Sequence, residues 1–295
     1  MLSYVKLFYY LLRPKTVFIR KRSGALGDDL LMSLVLPFIK KRYPEHKIIV
    51  EANWTDLFFN NPYVDWVTDK HLKTTRRHIK PKYYIDEKTK MSLYEQFMTS
   101  VGAQGKAYPE LFLTDDELND IHKRFNFPYI AICPHGKQKF SANRKEWGME
   151  NFQKLRNHFN NYQFVQVGLK NDELLDGVHD GRGLMVRQSA AIIKNSLFFV
   201  GLEGGLMHLA KSVGKRSVII YGGFINPEIS EYEENLNIIN MVECSPCFRS
   251  YKKMTVCDTM ICMKGISPDD VAGKINNHFR KELNSIKTER QTHEN

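Results

Sequence analysis

The chain is 295 residues long, 42% hydrophobic and 26% charged, and its 43 Lys and Arg against 33 Asp and Glu leave a formal net charge of +10. This is room for two domains of ordinary size in a soluble globular protein, and the lack of heptads, internal repeats and low-complexity runs excludes coiled coils and repeat arrays. The basic surplus favours polyanions (nucleic acid, an anionic membrane, phosphorylated small molecules) without choosing among them.

Residues 1–12, MLSYVKLFYYLL, are apolar and aromatic and run into Arg13-Pro14-Lys15. About 20 apolar residues are needed to span a bilayer, and no small-residue cleavage site follows, so the segment reads as neither a transmembrane helix nor a signal peptide. It is expected to form a helix packed on the body of the protein, or one lying in a membrane interface with Lys6, Arg13 and Lys15 at the headgroups. TVFIRKR (16–22) reads as a strand, SGALGD (23–28) as a glycine turn, and DLLMSLVLPFIKKRY (29–43) as a buried helix that Pro37 should kink or break. KIIVEAN (47–53) is the next strand, so the chain opens as a parallel α/β sheet. Residues 54–110 are rich in Tyr, Lys and His and give the weakest pattern.

TDDELNDIHKRF (114–125) reads as a helix capped by Thr114, with Glu117 completing a capping box, and Phe127-Pro128 then breaks the chain. A second α/β pattern follows, with strands at 129–134, 163–168, 197–201 and 216–223 between helices at 145–159, 188–196 and 204–213. A boundary near 126 divides the chain into domains at 1–126 and 127–295, facing one another across a cleft, and the polar tail from about Glu282 is expected to fray.

Three glycine turns sit at strand ends: Ser23-Gly24-Ala25-Leu26-Gly27-Asp28, His135-Gly136, and Gly201-Leu202-Glu203-Gly204-Gly205. Glycine lets backbone approach a ligand closely, and helix N-terminal N–H groups bind anions. None has the GxxxxGK[ST] or GxGxxG form. One such turn is routine in an α/β protein; three, spread over two domains, point to a nucleotide-binding cleft.

In order along the chain, these stretches resemble the bacterial lipopolysaccharide heptosyltransferases. SGALGDDLLMSLVLPFIKKRYPEHKIIVEAN (23–53) is similar to that family's N-terminal motif, with its Gly-Asp pair and RYP helix end. KEWGMENFQKL (145–155) resembles the K-x-W-P-x-x-x-F/W segment, and GLEGGLMHLAKSVG (201–214) the D-(S/T)-G-x-x-H-L-A-x-A-x-G segment. CSPC (244–247), CM (262–263) and ISPDDV (266–271) match the C-terminal pattern. The resemblance covers about residues 16–275. It implies an α/β GT-B fold of two Rossmann-like domains, an N-terminal one for the acceptor and a C-terminal one for the nucleotide-sugar, with the C-terminal domain carrying the cysteines and a last helix. The implied reaction moves a sugar, heptose by family default, from a nucleotide-diphosphate donor such as ADP-heptose to a glycan or glycolipid acceptor. It inverts the anomeric carbon and needs no catalytic metal.

Carried over residue by residue, the resemblance makes Asp28 the candidate general base, since inversion needs a carboxylate to take the acceptor hydroxyl's proton. The plain alternative is that Asp28 or Asp29 caps the helix. Ser23, Gly24 and Gly27 form the acceptor-side turn. Gly204 and Gly205 would offer N–H groups to the diphosphate, His208 would face the phosphates or the sugar, and Lys145, with Arg144 beside it, would balance leaving-group charge. Two departures stand out: Glu203 replaces the family's Asp, and Gly204 replaces its Ser or Thr. Residues 54–110 carry no family signature.

Cys244, Cys247, Cys257 and Cys262 fall within 19 residues and suit a structural zinc or iron site, although free thiols or a disulfide would satisfy the same spacing. Without an export signal a reducing compartment is expected, which disfavours the disulfide; Cys133, apolar-flanked in a strand, reads as core. The resemblance adds that some related proteins carry metal there. The reading is thus a cytoplasmic transferase, peripheral at an anionic membrane. Alternatives are a related transferase with another activated sugar or a protein acceptor and, from a different class, a nucleic-acid-binding protein with a four-cysteine zinc module. That last reading leaves the paired α/β motifs unexplained, so nucleic acid is not an expected partner.

Overall fold

The computed structural model describes residues 15–20, 24–71, 77–85, 91–136, 141–248 and 255–285. The expectations for residues 1–12 and for Ser23 lie outside the described residues.

The N-terminal sheet has the order β3-β2-β1-β4, built from β1 (Thr16–Ile19), β2 (Lys47–Glu51), β3 (Trp66–Thr68) and β4 (Arg77–Ile79). The C-terminal sheet has the order β10-β9-β8-β5-β6-β7, from β5 (Tyr129–Ile132), β6 (Gln163–Gln166), β7 (His179–Asp180), β8 (Phe199–Leu202), β9 (Ser217–Gly222) and β10 (Leu236–Ile239). Neighbouring strands pair in parallel throughout, with Val17 beside Ile48 in the first sheet and Ala131 beside Val165 in the second. Strands covered by helices on both faces become short apolar runs, and β1, β5, β8 and β9 are buried along their whole length.

The helix expected over 29–43 is divided as Pro37 requires. α1 (Leu26–Met32) passes through a 3-10 turn at Ser33–Val35 into α2 (Leu36–Arg42), and Pro37 lies in the first turn of α2, where its missing N–H leaves no bond unmade. Residues 54–110 hold β3, β4 and α3 (Leu93–Ser100), which begins with a Ser92–Glu95 capping box. The helix expected from 145 starts four residues later, as α5 (Met149–His158). Gly148 before it has φ +95°, a backbone conformation no helix continues through. That delay leaves Lys145 in a turn rather than on a helix.

Beyond α8 (Ile261–Lys264) and α9 (Pro268–His278) the chain does not fray at Glu282. Its carboxylate accepts from Arg216 Nη1 at 2.6 Å and Leu283 is buried. Phe279, at the end of α9, stacks on Phe198 at 4.3 Å between ring centroids and holds the C-terminal helix to the sheet.

The two sheets share a buried apolar core that runs from Val17, Leu30 and Phe97 through Tyr129 and Ile192 to Ile219. α4 (Asp115–Arg124), capped by Thr114 and Glu117 as expected, packs against α6 (Val186–Asn195), and Leu111 N–H donates to the Ser212 carbonyl at 2.9 Å. Arg187 of α6, 6% exposed, reaches both oxygens of Glu117 at 2.5 and 2.6 Å. It also donates to the carbonyls of Asp56, Phe59 and Phe112 at 3.0, 3.3 and 2.7 Å. One guanidinium therefore ties the loop after β2 to the helices over the second sheet. Among the described residues no helix is long and apolar enough to cross a membrane.

Candidate active site

The turn after β1 and the turn after β8 meet. α1 and α7 (Gly205–Ser212) lie against one another, close enough that a Cβ on Gly27 would stand 3.0 Å from His208 Cδ2 and 3.6 Å from Gly205 Cα. A Cβ on Gly205 would in turn meet Gly27 N at 3.5 Å. At Gly27 a side chain would crowd His208, and at Gly205 it would just touch the opposite turn, so the approach is tightest at Gly27. Gly204 just before has φ +147° and open space where a side chain would project, so its backbone disfavours the Ser or Thr the resemblance led one to expect and leaves room above the turn.

The approach brings the candidate residues together. Asp28, in the first turn of α1, accepts a 2.7 Å hydrogen bond at Oδ1 from the Tyr83 hydroxyl. Asp29 faces the other way and is fully buried: its Oδ2 accepts from the backbone N–H groups of Asn53 and Trp54 at 2.7 and 2.9 Å, which pins the loop after β2. Two adjacent aspartates thus take different work, Asp28 in the cleft and Asp29 on backbone. Gly24, at φ +75°, adopts the left-handed backbone that fits the turn, and Asn53 Nδ2 donates to its carbonyl at 3.3 Å.

On the side of the second sheet Lys145 Nζ is ion-paired with Glu203 Oε2, and both side chains are largely buried. Lys145 also stands 4.8 Å from the centre of the Phe224 ring. The Glu203 carboxylate, one methylene longer than the aspartate of the resembled motif, is the lysine's ion-pair partner. His208 is buried, with Nδ1 2.7 Å from the Tyr232 hydroxyl. Burial drives its imidazole down to about 4, against the pull of Glu203 and Asp28 and with Lys145 adding to the push. It is therefore neutral at pH 7, a hydrogen-bonding group rather than a cation.

That burial gives the fold a pH dependence. The unfolded chain takes up the proton near the ordinary value of 6.5 and the folded chain near 4, so the unfolded state binds more protons between them. Stability is full above 6.5 and falls as the pH drops toward 4, by about 3 kcal/mol in total for this group. Melting curves from pH 7 to 4 should show that loss, and His208→Gln should flatten it; an equally steep curve in the variant would exclude His208 as its source.

Arg144 is turned away from this cluster. Its Nε donates to the Thr255 carbonyl at 2.9 Å, and the neighbouring Asn143 exchanges hydrogen bonds with the backbone of Cys257 at 2.8 and 2.9 Å. The four clustered cysteines are free thiols. Cys262 is buried, Cys244 is exposed, Cys247 Sγ donates toward the Gly223 carbonyl at 3.8 Å, and Cys257 Sγ lies 3.7 Å from Thr259 Oγ1. Burial pushes the Cys247 thiol up, whereas the Met260 N–H holds that of Cys257 below its usual range. Among the described residues no three His, Cys, Asp or Glu are gathered as metal ligands, so the four thiols as placed do not fit a tetrahedral ion. Cys133 is buried in the sheet, with its thiol pushed up to about 12, as a core residue should be.

Sequence reasoning missed Tyr83, Tyr232 and Arg187. Tyr83 and Tyr232 reach the site from 55 and 24 residues away along the chain. The KYY run at 82–84 is the one local hint for Tyr83.

Two units of parallel sheet whose glycine turns meet at their strands' carboxyl ends have the GT-B fold of the solved heptosyltransferase structures. The chain belongs to glycosyltransferase family 9 (heptosyltransferase), whose sequence model matches residues 68–257. None of the curated proteins matches the sequence. Among solved structures, the iron-containing dodecameric glycosyltransferase TibC from enterotoxigenic E. coli is similar over 92% of this chain and 77% of its own, at 18% identity and a TM-score of 0.72. TibC has also been solved in complex with ADP-D-beta-D-heptose. A family 9 glycosyltransferase from Veillonella parvula covers 92% and 98%, at 14% identity and 0.69. E. coli ADP-heptose LPS heptosyltransferase II covers 91% and 99%, at 15% identity and 0.67. At these identities the likeness establishes the fold.

Proposed function

We propose that this transferase moves a heptose from ADP-heptose onto a lipopolysaccharide or other cell-surface glycan, inverting the anomeric carbon in one displacement. What carries the reading is the meeting of the α1 and α7 starts at Gly27 and Gly205, which sets Asp28 opposite Lys145, Glu203 and His208. The family match begins at residue 68, so for Asp28 the support is geometric.

In this reading residues 1–126 present the acceptor and residues 127–295 hold the donor. The acceptor hydroxyl gives its proton to Asp28 as its oxygen attacks the anomeric carbon. The departing nucleoside diphosphate gathers negative charge on its terminal phosphate. Lys145 and the N–H groups of Gly204 and Gly205 meet that charge, so no catalytic metal is called on. Neutral His208 offers a hydrogen bond where a cation would hold product too tightly. Lys145 is already paired with Glu203 before donor arrives, so the diphosphate takes over one arm of an existing ion pair instead of meeting a bare charge. The cysteines take no part in the step. The basic surface supports a cytoplasmic enzyme working at an anionic membrane.

The Glu203–Lys145 pair also favours a second reading, a related transferase using a different activated sugar or a protein acceptor, since this carboxylate reaches the lysine and is longer than the family's. A thermal-shift panel of ADP-, GDP-, UDP- and CMP-sugars separates the two. ADP-heptose should raise the melting temperature most, in line with about 2.7 kcal/mol at a hundredfold excess over Kd. Stabilisation by another nucleotide sugar would favour the second reading. Stabilisation by an oligonucleotide and by none of the sugars would overturn both.

A further inference from the structure

We propose that Tyr83 is the positioning residue for the base, holding Asp28 by its hydroxyl so that the carboxylate enters the reaction aimed; this rests on the reading of Asp28 as base. Tyr83 lies in the stretch after β4, whose parallel neighbour β1 leads into the Asp28 turn. Its hydroxyl donates to Asp28 Oδ1 at 2.7 Å. The placement of that hydroxyl is over-determined by α3. The Tyr83 ring stacks on Phe97 at 5.4 Å between centroids and 27° between planes. On one side the Lys82 N–H donates to Ser100 Oγ at 3.0 Å, and on the other the Tyr84 N–H donates to Gln96 Oε1 at 2.7 Å. Three successive residues are thus fixed to one helix face, and the one in the middle points its hydroxyl at the base.

The chemistry follows from a single hydrogen bond. A phenol O–H donating to one carboxylate oxygen fixes the group's rotation. In the displacement Asp28 gains the acceptor's proton while Tyr83 keeps its own, so the tyrosine is neither consumed nor ionised. Among the described residues, titratable groups near Asp28 include His208, with Glu203 and Lys145 beside it, and Asp29 next to it on α1. None of these is altered when Tyr83 loses its hydroxyl.

Tyr83→Phe keeps the ring on Phe97 and removes the donor alone. ADP release from ADP-heptose is followed on the full chain with heptose-deficient lipopolysaccharide present, for wild type, Tyr83→Phe and Asp28→Asn. Tyr83→Phe should lower kcat roughly 5- to 50-fold while leaving the donor KM and the melting temperature unchanged. Phe97→Leu, which loosens the ring but keeps the hydroxyl, should lower kcat in the same direction by a smaller factor. If Asp28→Asn is inactive while Tyr83→Phe keeps its kcat, the tyrosine proposal fails and the base stands. If Asp28→Asn remains active, the base assignment fails and takes the positioning role with it. A Tyr83→Phe protein that melts early and worsens in kcat and donor KM together would mark a structural residue and also overturn the proposal.

Discussion

Asp28→Asn should lower the turnover number by about 10²- to 10⁴-fold, the usual worth of a positioned general base, while the thermal shift with nucleotide sugar stays as in wild type. The substitution is nearly isosteric, and its amide oxygen can still accept from Tyr83, so the cleft keeps its shape. Glu203, Lys145 and the α7 turn are untouched, and so therefore is the proposed hold on the diphosphate. The measurement is single-turnover transfer with donor saturating, which separates the chemical step from product release. A variant keeping more than about a tenth of wild-type turnover would remove Asp28 from the role. Asp29→Asn makes the informative contrast: that carboxylate holds the backbone of Asn53 and Trp54, so the loss should appear in stability before it appears in turnover.

Arg187→Ala should be the most destabilising single change in the shared core. Removing the buried arginine leaves a partly exposed Glu117 without its partner, at a cost of about 2–3 kcal/mol, which corresponds to a fall in melting temperature of roughly 4–12 °C. The loss reaches beyond the ion pair, because the carbonyls of Asp56, Phe59 and Phe112 lose their donor as well. Arg187→Lys keeps the charge but has three donors on one nitrogen, against a guanidinium spread over four acceptor groups, so it should recover part of the loss. Glu117→Gln should cost less than either, since Glu117 is partly exposed and the amide still accepts. A melting temperature for Arg187→Ala within a degree or two of wild type would show that water takes over the guanidinium's bonds.

Where chemistry is local, the fold was readable from the chain. Short apolar runs ending in glycine mark parallel strands buried on both faces, and Pro37 and the Thr114–Glu117 box fixed helix boundaries by their own geometry. Asp28, Lys145, Glu203 and His208 were singled out through the family resemblance, on motifs beside a glycine turn or a tryptophan, and the structure brings them near one another. The start of α5 was misplaced because a glycine within a polar stretch does not announce a positive φ. Arg144 was grouped with Lys145 because they are neighbours in the chain, yet consecutive side chains in a turn diverge, and one faces the cleft while the other faces Thr255. Tyr83 and Arg187 were invisible for a different reason. Each acts through partners 55 to 131 residues away, and no periodicity records such a pairing.

The clamp at Arg187 and the bond from Leu111 to Ser212 also bear on how proteins of this architecture could be recombined. A seam at residue 126 falls between two sheets but parts α4 from α6 and Glu117 from its arginine. A chimaera meant to pair one acceptor half with another donor half would have to carry the chain from about 111 onward with the donor half. The transplantable piece is therefore set by a buried guanidinium and a helix pair, not by where one sheet ends and the next begins.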